Sequence, residues 1–305
     1  MANITSTSQI DSAVGVYYDR QLLERAKKAL VHTQFAQQRN LPSKNSDTIK
    51  FRRYSNLATA TTALSEGITP TGHALSKTDM TAQVEQYGTY ITLTDVVQYT
   101  VEDNVMNEAS NILAQQMSET VDELVRDVMA STLSSTNCTA GVNGGTPTEL
   151  TYSDIQGAVI TLLGQDAKRF TPIVNASNKF GTAPVGKSYW ALGDVDLLDD
   201  LQAMKQWVNI EGYGGASFIE NEFGKVGNTR WVLTSGGYVS SGTYSNFIVG
   251  ENSYAVTMLK EGISKHIFTP SNDPLRQRSE LGWKHYMASR ILNDNWILKL
   301  NCTHS

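Results

Sequence analysis

The stretch Thr100–Leu133, TVEDNVMNEASNILAQQMSETVDELVRDVMASTL, contains neither proline nor glycine. Apolar or small residues recur at Val105, Ala109, Ile112, Leu113, Met117, Val121, Leu124, Val128 and Thr132. Steps of three and four place them in one stripe of a helix. Thr100 and Asp103 supply an S/T-x-x-D/E start signal that satisfies the first free N–H groups. At ~1.5 Å per residue the helix spans roughly 45 Å, about three times an average one. Its other face carries Glu108, Gln115, Glu119, Glu123 and Arg126, which excludes burial in a membrane. The rest of the chain reads as material packed around this spine.

N-terminal to it, Val16 to Gln38 reads as a helix with Leu23, Ala26 and Leu30 on one side, ended by Leu41-Pro42. The residues before it read as a loose arm. TIKFRRY at 48–54 alternates in the manner of a strand, and 78–94 alternates again, with Gly88 marking a bend or bulge. More than twenty residues rich in Thr, Ala, Ser and Gly separate the two. A tip that long implies a binding role, and a lone pair of strands is marginal in water. The hairpin is therefore expected to lie on another molecule.

C-terminal to the spine, residues 134–151 read as a linker. Ser153 to Gln165 reads as a helix capped by Ser153, with Ile155, Val159 and Leu162 inward. Strands are expected at 172–177, 188–192, 230–235, 246–250 and 253–259. A helix capped by Asp194 is expected to run to about Val208, with Leu197, Leu201, Met204 and Val208 inward. Gly212, Gly214 and Gly215 read as a turn. Three further strands are expected at 263–269, 282–292 and 295–302. There are no internal repeats.

Composition narrows the function. A 305-residue chain with 40% hydrophobic residues can build a large core, and a net charge of −5 argues against a dedicated nucleic-acid-binding surface. Cys138 and Cys302 lack metal or disulfide spacing and read as free thiols of a reducing compartment. Neither a signal peptide nor a transmembrane helix is expected.

Candidate chemistry fails on inspection. Gly181 to Ser188, GTAPVGKS, fits G-x-x-x-x-G-K-[ST], but the segment after Lys187 is strand-like and Pro184 removes a donor. The five histidines, His32, His73, His266, His285 and His304, are scattered, so no metal site is expected. Asp194, Asp196, Asp199 and Asp200 read as helix-start carboxylates rather than a calcium loop. No catalytic residue, metal or cofactor is assigned. Arg52-Arg53 and Arg276/Arg278 read as ion pairs at a surface or subunit contact.

An ordered set of short motifs resembles a known family. These are Leu41-Pro42; Phe51-Arg52-Arg53-Tyr54; Leu64-Ser65-Glu66-Gly67-Ile68-Thr69-Pro70; Gln86-Tyr87-Gly88; Thr94-Asp95; Phe223-Gly224-Lys225-Val226-Gly227; and Asp273-Pro274-Leu275-Arg276-Gln277-Arg278 with Gly282-Trp283-Lys284. The chain resembles the major capsid proteins of tailed phages, in the coat family of N-four-type phages. The resemblance implies an α+β fold of the Hong Kong phage coat type. Its implied parts are an N-terminal arm with helix (1–46), an extended β-hairpin loop (47–95), a peripheral domain with the spine helix (96–150), an α/β axial domain (151–260) and C-terminal strands returning to the peripheral domain (261–305). Residues 134–151 and the GYGG turn have no counterpart in that pattern. No N-terminal scaffolding extension is expected.

The implied function is structural: self-assembly as hexamers and pentamers into an icosahedral head around double-stranded DNA, in a virion assembled in the bacterial cytoplasm. Implied partners are further copies, a portal protein, a scaffolding protein and packaged DNA bound without sequence preference. A decoration protein is left open, and no membrane is involved. Arg52, Arg53, Tyr54, Leu64, Glu66, Pro70, Tyr87, Arg276 and Arg278 are the candidate inter-subunit contacts. A nanocompartment shell of the same fold is the alternative, and a P-loop nucleotide-binding protein a remoter one.

Overall fold

The computed structural model describes residues 31–42, 46–63, 66–67, 69, 71–95, 105–139, 145–170, 186–213, 219–259, 265–269 and 277–304. Four strands come first: β1 (Gln37–Leu41), β2 (Thr48–Tyr54), β3 (Lys77–Gln83) and β4 (Glu85–Thr94). The spine is α1 (Val105–Ala130), followed by β5 (Ser135–Asn137) and α2 (Tyr152–Gly164). Then come β6 (Tyr189–Asp194), α3 (Leu198–Gln202), β7 (Trp207–Asn209), β8 (Glu222–Val226), β9 (Thr229–Thr234) and β10 (Tyr238–Ser240). The chain closes with β11 (Thr243–Val249), β12 (Tyr254–Leu259), β13 (Lys265–Thr269), β14 (Arg278–Ile291) and β15 (Ile297–Cys302).

These strands form two large sheets and one detached pair. Sheet one is ordered β1-β12-β14-β13, with β4 also on β14. The fourteen-residue β14 is its axis. One edge meets β4 from Arg278 opposite Thr94 to Met287 opposite Glu85. The other edge meets β13 and then β12. Sheet two has the order β5-β15-β11-β6-β9-β8-β7, with β10 on β11. Its central strand β6 is parallel to β9 and antiparallel to β11, and every residue of it is buried. Alternate side chains of β6 therefore enter different cores. Tyr189 and Ala191 join the cluster under α2, which holds Ile155, Val159, Leu162, Leu197 and Leu201. Trp190 and Leu192 join the cluster under α1.

α1 spans both layers. Met106, Ala109, Leu113 and Met117 pack on Leu93, Leu281 and Trp283 of sheet one. Val121, Val125 and Met129 pack where sheet two meets Tyr254, Val256 and Met287 of sheet one. The helix has 26 residues, roughly 40 Å at ~1.5 Å each. It has no basic residue in its own last turn; the Lys299 ammonium of β15 instead donates to the Ala130 carbonyl at 3.0 Å, the favourable charge for a helix C-terminus.

Several expectations are corrected. The buried stripe of α1 runs through Met106, Ala109, Ser110, Leu113, Ala114, Met117, Ser118, Val121, Asp122, Val125 and Met129. Ile112 is 59% exposed, and Leu124 and Val128 are half-buried. The true stripe contains serines and an aspartate, which a count of apolar residues passes over. Gln37 and Gln38 are in β1, because the segment pairs with β12 in parallel. The cap of α2 is Thr151, in a capping box with Asp154, so the helix starts earlier than Ser153 implies. The helix after Asp194 ends at Gln202, and Trp207–Asn209 pairs with β8 instead. Gly88 lies in an unbroken ladder rather than at a bulge: a Cβ there would come within 2.6 Å of the Trp283 carbonyl oxygen.

Of the helix expected over 16–38, residues 31–36 are turn and bend instead, and its residues 16–30, the Thr100/Asp103 start signal and the strand at 172–177 lie outside the described residues. The sequence blocks also exchange strands. β12, before residue 260, belongs to sheet one, and β15, after 261, belongs to sheet two.

Candidate assembly surface

β2 and β3 form a sheet of two strands only among the described residues. The register is unbroken from Thr48 opposite Gln83 to Tyr54 opposite Lys77. One face carries the pairs Ile49–Ala82 and Phe51–Met80; the other carries Lys50–Thr81 and Arg52–Asp79. The Arg52 guanidinium donates to Asp79 at 3.0 Å, and Lys77 lies 3.7 Å from the same carboxylate. The Arg52 hydrogen bond holds the Asp79 carboxyl below its usual range. This rung is solvent-exposed, so it sets register more than stability.

The root of the hairpin is better tied. Val84 N–H donates to the Asp47 carbonyl at 2.8 Å. The Asp47 carboxylate accepts from the Thr48 hydroxyl at 3.0 Å and the Gln83 amide at 3.1 Å. Those two bonds lower the Asp47 pKa. Only Val84 separates β3 from β4, so one leg of the hairpin continues directly into the sheet packed by α1. The apolar face is half-buried over a groove of about 490 Å³ that also meets Arg39 and Trp296. Beyond Ser55, whose N–H donates to the Ser76 carbonyl at 3.0 Å, every described residue up to Ser76 is exposed. Glu66 and Gly67 form a turn in which Gly67 has φ +78°, a conformation suited to glycine.

The sequence candidates separate on this frame. Arg52, Arg53, Tyr54 and Glu66 are exposed along the hairpin. Arg278 is exposed at the start of β14, opposite Thr94. Tyr87 differs: it is half-buried, packs against both clusters under α1, and donates to Glu85 at 2.6 Å. Burial first, then this bond, pushes its phenol up to about 12. Much of its contact surface is already used inside its own chain. Leu64, Pro70 and Arg276 lie outside the described residues.

Other exposed apolar side chains were not singled out from sequence. Ile160 and Leu163 stand on the uncharged outer face of α2 with Gly157 and Thr161. Tyr90 is 67% exposed on the outer face of sheet one, beside Gly282. The signal was available: α2 is apolar nearly all round, which in water implies a covered outer face.

Among the described residues no catalytic geometry competes with this surface. Residues 186–188 lead directly into β6, so Lys187 has no helix behind it, and residues 181–185 lie outside the described residues. Among the described residues no cluster of His, Cys, Asp or Glu could hold a metal, and no helix is long and apolar enough to cross a membrane.

A profile of the family described as phage capsid protein matches residues 77–299. The chain belongs to the phage capsid protein family. Among curated proteins none matches. In fold, this capsid protein is similar to the capsid of Ralstonia phage GP4, with a TM-score of 0.62 at 9% identity over 92% of this chain and 90% of that one. It is similar also to the capsid of Helicobacter pylori bacteriophage KHP30 (0.61, 12% identity, 88% of each) and of Cyanophage P-SCSP1u (0.58, 14%, 91% and 89%). Its mixed α+β architecture is thus that of the Hong Kong phage coat fold. The capsid protein is structural rather than enzymatic, assembles with its own copies, and resides in the virion shell.

Proposed function

We propose that this chain is the major capsid protein of a tailed phage of the N-four type, building an icosahedral head from hexamers and pentamers around double-stranded DNA. The observation that carries the reading is the β2–β3 hairpin. It is rooted in the sheet under the spine helix, yet its tip is exposed, its apolar face is only half-buried, and among the described residues neither of its edges pairs with a third strand. Such an element gains its missing contacts from a neighbouring subunit, with ordering entropy lost only on association.

In this reading the extended loop expected over 47–95 projects as β2 and β3 and ends in β4, and α1 with sheet one, including β13 and β14, is the peripheral domain. The α/β layer within 151–260 is the axial domain, and 1–46 the N-terminal arm. Arg52, Arg53, Tyr54, Leu64, Glu66, Pro70, Arg276 and Arg278 are the subunit contacts, with Tyr87 supporting them from inside. A portal protein and a scaffolding protein are the expected partners. A net charge of −5 suits a lumen that holds DNA without gripping it.

Electron microscopy of the expressed protein tests the proposal. Closed shells of uniform size, and in phage-infected cells nuclease-protected DNA within them, are expected. Shells loaded with an enzyme instead of DNA would favour a nanocompartment, and a protein that stays monomeric with its partners present would refute assembly.

A further inference from the structure

Cys138 and Cys302 are distant in sequence and adjacent in the fold. β5 runs parallel to β15 with Asn137 beside Asn301, and the two side chains bond at 2.9 Å. The ladder continues one step further, with Cys138 N–H donating to the Asn301 carbonyl at 2.8 Å. Successive side chains alternate faces, so the next pair, Cys138 and Cys302, turns into the core under α2. Both thiols are free and fully buried there. They interact side chain to side chain, and that contact, then burial, pushes the Cys138 thiol up. Neighbouring strands lie about 4.8 Å apart, inside the roughly 4.4–6.8 Å Cα window of a disulfide.

The two sulfurs are not equivalent. The Asn246 amide donates to Cys302 Sγ at 3.1 Å. Asn246 fits because residue 193 is glycine: a Cβ there would come within 2.5 Å of Asn246 Oδ1. The Asn246 contact fixes the Cys302 sulfur in place. Cys302 is assigned as the attacking sulfur and Cys138 as the resolving one.

We propose that Cys138 and Cys302 are a latent disulfide, closed by exchange with a small organic disulfide once the protein leaves a reducing cell. The Cys302 thiolate attacks one sulfur of the organic disulfide. A bond to that sulfur forms, the organic S–S bond breaks, and the leaving thiolate takes up the proton that Cys302 gave. Cys138 then loses its proton and attacks Cys302 Sγ, expelling the second organic thiolate, which is protonated in turn. Two protein thiols are oxidised and one organic disulfide is reduced to two thiols. Both sulfurs are buried, so opening of β5, the three-residue strand at the end of its sheet, gates the first step. The bond clips the strand that follows the spine to the last strand of the chain and constrains the unfolded state.

The test uses full-length protein, reduced, freed of reductant, and incubated under native conditions with oxidised glutathione. Samples are then alkylated in denaturant and analysed by intact mass and peptide mapping. Loss of two hydrogen atoms per chain, a linked Cys138–Cys302 peptide and a rise in melting temperature reversed by dithiothreitol are expected. In Cys138→Ser the glutathione should stay on Cys302. Wild-type protein whose two thiols are both alkylated after amides of β5 have exchanged with solvent, or which ends with glutathione held on Cys302, would overturn the proposal. The wild-type measurement decides alone should the serine variant misfold.

Discussion

Asp122 is a charged residue on the buried side of the spine, and its carboxylate is fully used. It accepts from Val31 N–H at 3.1 Å, from His32 N–H at 2.7 Å, and lies 2.7 Å from His32 Nδ1. Tyr254 donates to the His32 carbonyl, so one cluster ties the start of the described chain to α1 and β12. A second buried charge pair sits in sheet two. Arg230 bonds Glu222 through two nitrogens at 2.6 Å each and stacks 4.5 Å from the Trp190 ring. Removing one partner strands the other, so Glu222→Ala should lower unfolding free energy by about 3–5 kcal/mol, measured by urea denaturation. His285 is buried, and desolvation lowers its pKa from 6.5 to about 4. The unfolded state then binds the extra proton between those values. Stability from this group is complete above pH 6.5 and is lost as pH falls through 4, by about 3 kcal/mol in all. Melting temperatures from pH 7 to 4 should fall less steeply in His285→Gln. The His304 imidazole, 3.1 Å from Asp200, has the opposite sign: its pKa is raised by that bond, and its contribution disappears as pH rises through the raised value.

At the scale of elements, the spine offers an internal control. Leu113 is 1% exposed in the core with Trp283, while its neighbour Ile112 faces solvent. Leu113→Ala should cost about 2–5 kcal/mol, and Ile112→Ala about 0.5 kcal/mol or less. Similar losses at both sites in thermal denaturation would refute the orientation of α1. The orientation was only partly legible. Ala109, Leu113, Met117 and Val121 follow the apolar period, but Ile112, Leu124 and Val128 fit a slightly rotated stripe equally well. The helix leaves one sheet for another midway, so the face it must bury shifts along its length. α2 was read more closely, since Ile155, Val159 and Leu162 lie on one constant core.

For the whole molecule, the decisive element is the one that adds least to the subunit. Replacing Ala58–Ser76 with a short turn removes only exposed described residues. The variant should fold and melt like the parent yet form no closed shells by sedimentation and electron microscopy. Hydrogen exchange in this stretch should be fast in the free subunit and slow in the particle. Normal particles from the deletion variant would show that the hairpin is not the assembly element. The hairpin itself was legible because Ile49–Phe51 and Met80–Ala82 alternate cleanly and the intervening length is too great for a turn. That Tyr87 faces its own core, while Arg52 and Tyr54 do not, was not legible, because it depends on β14 pairing with β4 and not with β3.

What the amino-acid order determined by itself is local. Period-two alternation placed β2, β3 and β15, period 3.6 placed α1 and α2, and the strand-forming residues after Ser188 argued against a phosphate loop. These follow from side-chain direction along a single segment and need no partner. Tertiary structure decided everything that required two distant segments to meet. It set β14 between β4 and its two opposite neighbours, shortened the helix after Asp194 so that Trp207–Asn209 could pair with β8, and buried Asp122 because residues 31 and 32 arrive to hydrogen-bond its carboxylate. It also brought Cys138 against Cys302. Periodicity reports which face of an element is apolar; which surface covers that face depends on chain closure over long loops, whose entropy is offset only when the whole core forms.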